Sequence, residues 1–156
     1  MTDKEYLTEA FEEAFYGVRN GLGGPFGAVV VRHGIIIGTG HNSVTSANDP
    51  TAHAEIVAIR NACATTNNFL LDGAVIYSTC EPCPMCLSAI YWARIKTVYY
   101  CLTRNDAERI GFSDNHIYNE LGISLNNASI NLIQINIPAA DKLFAEWADK
   151  KDKIEY

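Results

Sequence analysis

Between Ala74 and Leu102 the chain spells a short apolar run, a helix-length segment and a second apolar run, and this order constrains the fold more than any other feature. Ala74–Ser78 follows a turn at Asp72-Gly73 and reads as a strand. Pro84–Ala93 reads as a helix with its proline in the first turn, where a missing N–H leaves no bond unmade. Thr97–Leu102 is again rich in β-branched and aromatic residues. Two strands joined by a crossover helix lie parallel in one sheet. Parallel strands are buried on both faces, so the other segments must cover that sheet twice.

Those segments have the required character. Leu7, Ala10, Phe11, Ala14, Phe15 and Val18 recur at helical spacing, with Thr2 or Asp3 as cap and Gly21–Gly24 as the end. Ala28–Val31 and Ile35–Ile37 flank His33-Gly34 and read as a hairpin, and their near-continuous apolar character predicts burial on both faces. His53–Ala64 reads as a helix started by Asp49-Pro50-Thr51. Beyond Leu102 the pattern weakens. Asp106–Ile110 and Asn115–Leu121 read as short helices, Ile130–Ile135 as a fifth strand or an irregular segment, and Asp141–Lys150 as a helix with Leu143, Phe144 and Trp147 inward. The expectation is one α/β domain over residues 1–156, a three-layer α/β/α sandwich around a mixed sheet of about five strands.

Two segments carry chemistry, Thr51-Ala52-His53-Ala54-Glu55 and Cys80-Glu81-Pro82-Cys83-Pro84-Met85-Cys86. A Cys-x-x-Cys step at a helix start brings two thiolates round one metal ion, and the helix N-terminus favours the thiolate form. His53 adds an imidazole from a second helix start. Three protein ligands leave a fourth position for water, whose pKa zinc lowers to about 7. Glu55, two residues past the ligand, is placed to move protons rather than to bind metal. Taken singly, each element also has an ordinary reading: a redox pair or half a structural zinc site, a capping histidine, a glutamate facing a helix dipole. Together they match the H-x-E…P-C-x-x-C pattern of zinc-dependent deaminases. Cys63, Cys80 and Cys101 read as small buried hydrophobes rather than as a fourth ligand.

On these residues the chain resembles the cytidine deaminase superfamily and, within it, the bacterial guanine deaminases. The likeness runs through Gly23–Val29, Asn48–Glu55, Glu81–Arg94, Gly111–Asp114 and the terminal Glu155-Tyr156. It implies a cytidine deaminase-like fold, one zinc ion per subunit held by His53, Cys83 and Cys86, and hydrolysis of guanine to xanthine and ammonia, with the zinc-bound water as nucleophile and Glu55 as proton shuttle. It also implies roles for single residues. Phe26 stacks on the purine, Asn42 hydrogen-bonds the base and Trp92 helps shape the pocket. Asp114 contacts the reactive amino side, and Tyr156 closes the site. It further implies a homodimer in which residues from about 130 to 156 exchange between subunits. Without the resemblance, Phe26 and Trp92 read as packing residues, Asn42 as a turn residue, Asp114 or Ser113 as a helix N-cap, and Tyr156 as a frayed end.

Charge narrows the partners. The net charge of −6 runs against a polyanionic substrate, and the lysines between 142 and 153 alternate with Asp141, Glu146, Asp149 and Asp152. A small free base is therefore expected rather than a nucleic acid, the resemblance implies that it is a purine, and apolar runs of strand length make no membrane partner expected. The rivals are a tRNA adenosine deaminase, a deaminase of another small base, nucleoside or triazine, and a zinc-stabilised binding module with a fourth protein ligand. The five cysteines form an odd set with no secretory signal ahead of them, so free thiols and a cytoplasmic setting are expected.

Overall fold

The computed structural model describes residues 1–156, the side chain of Asn127 apart. The chain runs α1 (Asp3–Arg19), β1 (Gly27–Arg32), β2 (Ile35–His41), α2 (Val44–Ala47), α3 (Ala54–Thr66), β3 (Ala74–Cys80), α4 (Pro84–Trp92), β4 (Thr97–Leu102), α5 (Arg104–Arg109), α6 (Asn115–Glu120), a short 3-10 turn (Leu125–Asn127), β5 (Asn131–Gln134) and α7 (Ala139–Asp149). The five strands form one sheet in the order β2-β1-β3-β4-β5. β1 pairs antiparallel with β2 and β3, whereas β3–β4 and β4–β5 are parallel. The β3–α4–β4 crossover therefore has the sense expected of it, and the sheet is mixed.

Residue alternation along the strands divides the core in two. Val29, Val31, Tyr77 and Cys101 face α1 and α7, where they meet Leu7, Phe11, Phe15, Leu143, Phe144 and Trp147. Ala28, Val30, Ile76 and Val98 face α3 and α4 on the other side. The result is a helix–sheet–helix sandwich. α1 begins at Thr2, whose hydroxyl and the Glu5 carboxylate form a reciprocal capping box. On α3 the buried side chains Ala54, Ala58 and Ala62 share one face, opposite Gly38 and Gly40 of β2. A Cβ on Gly38 would lie 2.4 Å from the Ala58 carbonyl oxygen, so small residues on both elements let α3 pack directly on the strand.

Two expectations need correction. β2 is an edge strand and is only partly buried: Ile35 is 66% exposed, while Ile36 and Ile37 are half-buried, one against each half of the core. The one-turn helix α2 falls in a segment where none was expected, stopped by Asn48 in the left-handed conformation. Ile130–Ile135 resolves in favour of a strand, which closes the parallel half of the sheet.

Candidate active site

The end of β2, the start of β1 and the end of β3 come together at one side of the sheet, and two helices begin there. His53 is the N-cap of α3 and Cys83 the N-cap of α4. The loop leading to His53 is fixed by Asp49, whose Oδ1 accepts hydrogen bonds from Thr51 N–H at 2.8 Å and Thr51 Oγ1 at 2.7 Å. Cys83 Sγ accepts from Cys86 N–H at 3.5 Å, which folds the first turn of α4 round both sulfurs. His53 Nδ1 lies 3.6 Å from Cys83 Sγ and 3.5 Å from Cys86 Sγ. These three donor atoms lie within 4.8 Å of one another, and among the described residues no fourth side chain joins them.

The donor set fits zinc. Two sulfurs and an imidazole nitrogen are the ligands a borderline-soft ion takes, and two helix N-termini point their partial positive charge at the sulfurs. Cys83 is drawn down to a pKa of about 4, first by its hydrogen bond with Cys86 and then by His53. Cys86, the donor in that bond and deeply buried, is pushed well up. Burial would lower His53, but the neighbouring Cys83 outweighs it and the imidazole pKa is raised. Cys80 turns its thiol toward Thr103 O at 3.5 Å, and Cys101 Sγ accepts from Ile137 N–H at 3.1 Å. Both are occupied away from the ligand group, as their reading as buried hydrophobes requires.

Glu55 sits beside this set in the first turn of α3 and is buried. Ser78 Oγ donates to its Oε1 at 3.0 Å, while Oε2 lies 3.5 Å from Cys86 Sγ. Burial raises the Glu55 pKa, and the Cys83 charge adds to the effect. A carboxyl whose protonated form is favoured in this way is suited to passing a proton between water and substrate.

Above these groups opens a cavity of about 480 Å³. Phe26, Asn42, Asp114 and Tyr156 line it together with His53, Glu55 and Cys83. Asn42 is nearly inaccessible, and its Oδ1 accepts from Gly24 N–H and Val44 N–H, each at 3.2 Å. Two backbone donors on the oxygen fix the amide orientation, so Nδ2 is the donor, and in this structure it faces the Tyr156 hydroxyl. Phe26 stands edge-on to Phe112 with ring centroids 4.9 Å apart, and Phe112 meets Tyr156 at 5.3 Å. Asp114 occupies the N-cap position of α6, yet its side chain makes no capping hydrogen bond. It lines the cavity instead, its pKa raised by burial and then by the Cys83 charge. Trp92 does not join them: it ends α4, 83% exposed and outside the cavity of its own chain.

Sequence reasoning passed over three residues here. Phe112 forms the aromatic wall between Phe26 and Tyr156. Arg104 lines the cavity with its guanidinium 4.4 Å over the Tyr118 ring, and its backbone N–H donates to Glu81 Oε2 at 3.1 Å. Ser78 holds Glu55. Only Ser78 left a signal, as a hydroxyl on the strand face otherwise filled by Ala74 and Ile76.

Residues 1–102 match the cytidine and deoxycytidylate deaminase zinc-binding region. The chain is 45% identical to guanine deaminase of Bacillus subtilis (strain 168) over 156 residues, which is all of both chains. An X-ray structure of guanine deaminase from Bacillus subtilis superposes with a TM-score of 0.77, covering 100% of this chain and 99% of that one. A tRNA-specific adenosine deaminase of Buchnera aphidicola subsp. Schizaphis graminum is 41% identical over 110 residues, 70% of this chain and 72% of its own. A three-donor metal site at two helix starts, a buried glutamate beside it and a match running through both motifs lead to one conclusion: the chain belongs to the cytidine and deoxycytidylate deaminase zinc-binding family.

Proposed function

We propose that this protein hydrolyses guanine to xanthine and ammonia. The observation that carries the reading is the buried Glu55 carboxyl, which adjoins the three-donor set without belonging to it. Full-length similarity to a guanine deaminase gives the substrate. When bound by His53, Cys83 and Cys86, zinc would supply the Lewis acidity that makes a water nucleophilic at neutral pH. Glu55 takes a proton from the attacking water and passes it to the ring nitrogen, then carries a second to the departing amine. A C–O bond forms, the C–N bond breaks, and the carboxylate returns to its starting state.

The other side chains position the base. Phe26 stacks against its face, backed by Phe112. Asn42 donates from Nδ2, so the edge it meets must accept. Asp114 faces the amino side and assists the proton transfers, and Tyr156 closes the cavity. We also propose a homodimer with exchange of residues from about 130 to 156. α7 packs on α1 through Leu143, Phe144 and Trp147, a contact that either copy could supply. The exposed Trp92 would then meet the neighbouring subunit. Mass measurement in solution tests this, and a monomer at working concentration would refute it. No helix is long and apolar enough to cross a membrane. Free cysteines that must stay reduced suit the cytoplasm.

The test is ammonia release by zinc-loaded protein from guanine, adenine, cytosine, guanosine and a tRNA anticodon stem. Guanine is expected to be the preferred substrate. Turnover of another compound with none of guanine would overturn the specificity, and inertness toward all of them would revive the binding-module reading.

A further inference from the structure

We infer that Ser78 is a positioning residue for Glu55, holding the carboxylate with one oxygen turned toward the donor set. The inference rests on the deaminase reading of the site. Ser78 lies on β3 at a position 1% exposed, on the face shared with Ile76 and opposite Ala28 of β1. A hydroxyl buried among apolar side chains is destabilising unless it is hydrogen-bonded. Here it has one side-chain partner, Glu55 Oε1, at 3.0 Å.

The bond has a directional consequence. Glu55 Oε2 lies 3.5 Å from Cys86 Sγ, so this oxygen faces the donor set, and Oε1 faces away from it into the sheet. Turning the carboxylate by half a revolution would exchange the two oxygens, but the Ser78 bond would then have to break and re-form. The hydroxyl therefore holds Oε1 as a pure acceptor and leaves Oε2 to pick up and deliver protons. Among the described residues the Cys86 thiol is the other side chain within hydrogen-bonding distance of the carboxylate. As a metal ligand it is a thiolate with no proton to donate. Ser78 is then the remaining side-chain donor on Glu55 among the described residues.

A strand supplies this hydroxyl well. Ser78 is flanked on both sides in the sheet, by Ala28 of β1 and Tyr100 of β4. Pairing on both sides fixes the place of its Cβ, whereas Glu55 reaches the site on a long side chain with several rotors.

The test is Ser78→Ala, with Ser78→Thr as the conservative variant. For Ser78→Ala, kcat should fall about 10- to 100-fold, the range seen when a group that orients a functional side chain is lost. KM should stay within about twofold, and metal analysis should still find near-stoichiometric zinc. Ser78→Thr should regain most of the lost kcat. Should the extra methyl overfill the site, the same question is answered by placing Ser78→Ala in a Glu55→Gln background. There it should cost little further, because the side chain it serves is already disabled. Unchanged kcat in Ser78→Ala, or an equal loss in the presence and absence of the Glu55 carboxylate, would overturn the inference. A wild-type protein inert toward every base would instead remove the deaminase reading beneath it.

Discussion

The floor and the rim of the cavity are built in different ways. At the floor, His53, Glu55, Cys83 and Cys86 sit at the first turns of two helices, and β3 contributes Ser78 from between its neighbours. The backbone of each floor ligand and of Glu55 is set by its own helix start, with Ser78 the one group that reaches in from a distant strand. The rim draws Phe26, Asn42, Phe112, Asp114 and Tyr156 from separate parts of the chain, all of them outside helices and strands. Its geometry exists only after α5, α6 and the C-terminal segment have docked. Bonds from Tyr118 Oη to Pro82 O at 2.6 Å and from Arg104 N–H to Glu81 hold the two parts together. A locally fixed floor and a remotely assembled rim imply a division of labour: changes at the floor should act on kcat, and changes at the rim on KM, Asp114 apart, since it also assists the proton transfers.

The largest effect is expected at Glu55. Glu55→Gln keeps the shape and removes the proton carrier, so kcat should drop about 1,000-fold, roughly 4 kcal/mol of barrier. Zinc content should be unchanged, because the carboxylate lies outside the donor set. Loss of metal from this variant would mean that Glu55 is a ligand, and the floor would need redrawing.

Gly23→Ala comes next. A Cβ there would lie 2.2 Å from Asn42 O and 2.5 Å from Asn42 Oδ1. The first of these is backbone and cannot swing aside. The chain on either side must shift, at about 1–3 kcal/mol of stability. Urea unfolding should report that loss, and KM for guanine should rise with it because Asn42 moves. A variant as stable as the parent would show that the rim tolerates displacement more than the close packing implies.

The same division decides which residues are legible in the amino-acid sequence. The candidate zinc ligands and Glu55 are legible because both motifs are short and lie at helix starts that the apolar periodicity already marks. The β3–α4–β4 crossover is legible for the same reason. Asp114 is different. By local rules it is a helix N-cap, and its backbone does occupy that position, yet its side chain is drawn into the cavity. Nothing within a few residues of Asp114 encodes that choice. β2 misled because an isoleucine run suggests burial, while the packing partner of α3 is set by Gly38 and Gly40 further along the strand. Phe112 has no local signal at all, since its neighbours Phe26 and Tyr156 arrive from opposite ends of the chain.

Removing Tyr156 should raise KM about tenfold, near 1.4 kcal/mol, and leave kcat within about twofold. Its ring meets Phe112 at 5.3 Å, and its hydroxyl faces Gly24 and Asn42. Steady-state kinetics on the chain ending at Glu155 checks this. A fall in kcat comparable to that of a floor variant would mean that the C-terminus contributes to the chemistry and not only to closure.

Gly24→Ala should give the smallest effect and makes the finest distinction. Its Cβ would lie 2.6 Å from Tyr156 Oη and 3.1 Å from Phe112 Cζ. Both are far ends of side chains, so they can yield where the Asn42 carbonyl beside Gly23 cannot. The cost should therefore fall on the seating of Tyr156: KM up about threefold, near 0.7 kcal/mol, with stability and kcat close to the parent. The decisive measurement is the combination. In a chain already lacking Tyr156 the main obstacle to the new methyl is gone, so Gly24→Ala should add almost nothing to KM. If the two changes add in full, Gly24 acts on the base through some contact other than Tyr156. If Gly24→Ala lowers kcat instead, the rim reaches down to the floor through Asn42, whose Oδ1 accepts from Gly24 N–H, and the separation of roles fails at that bond.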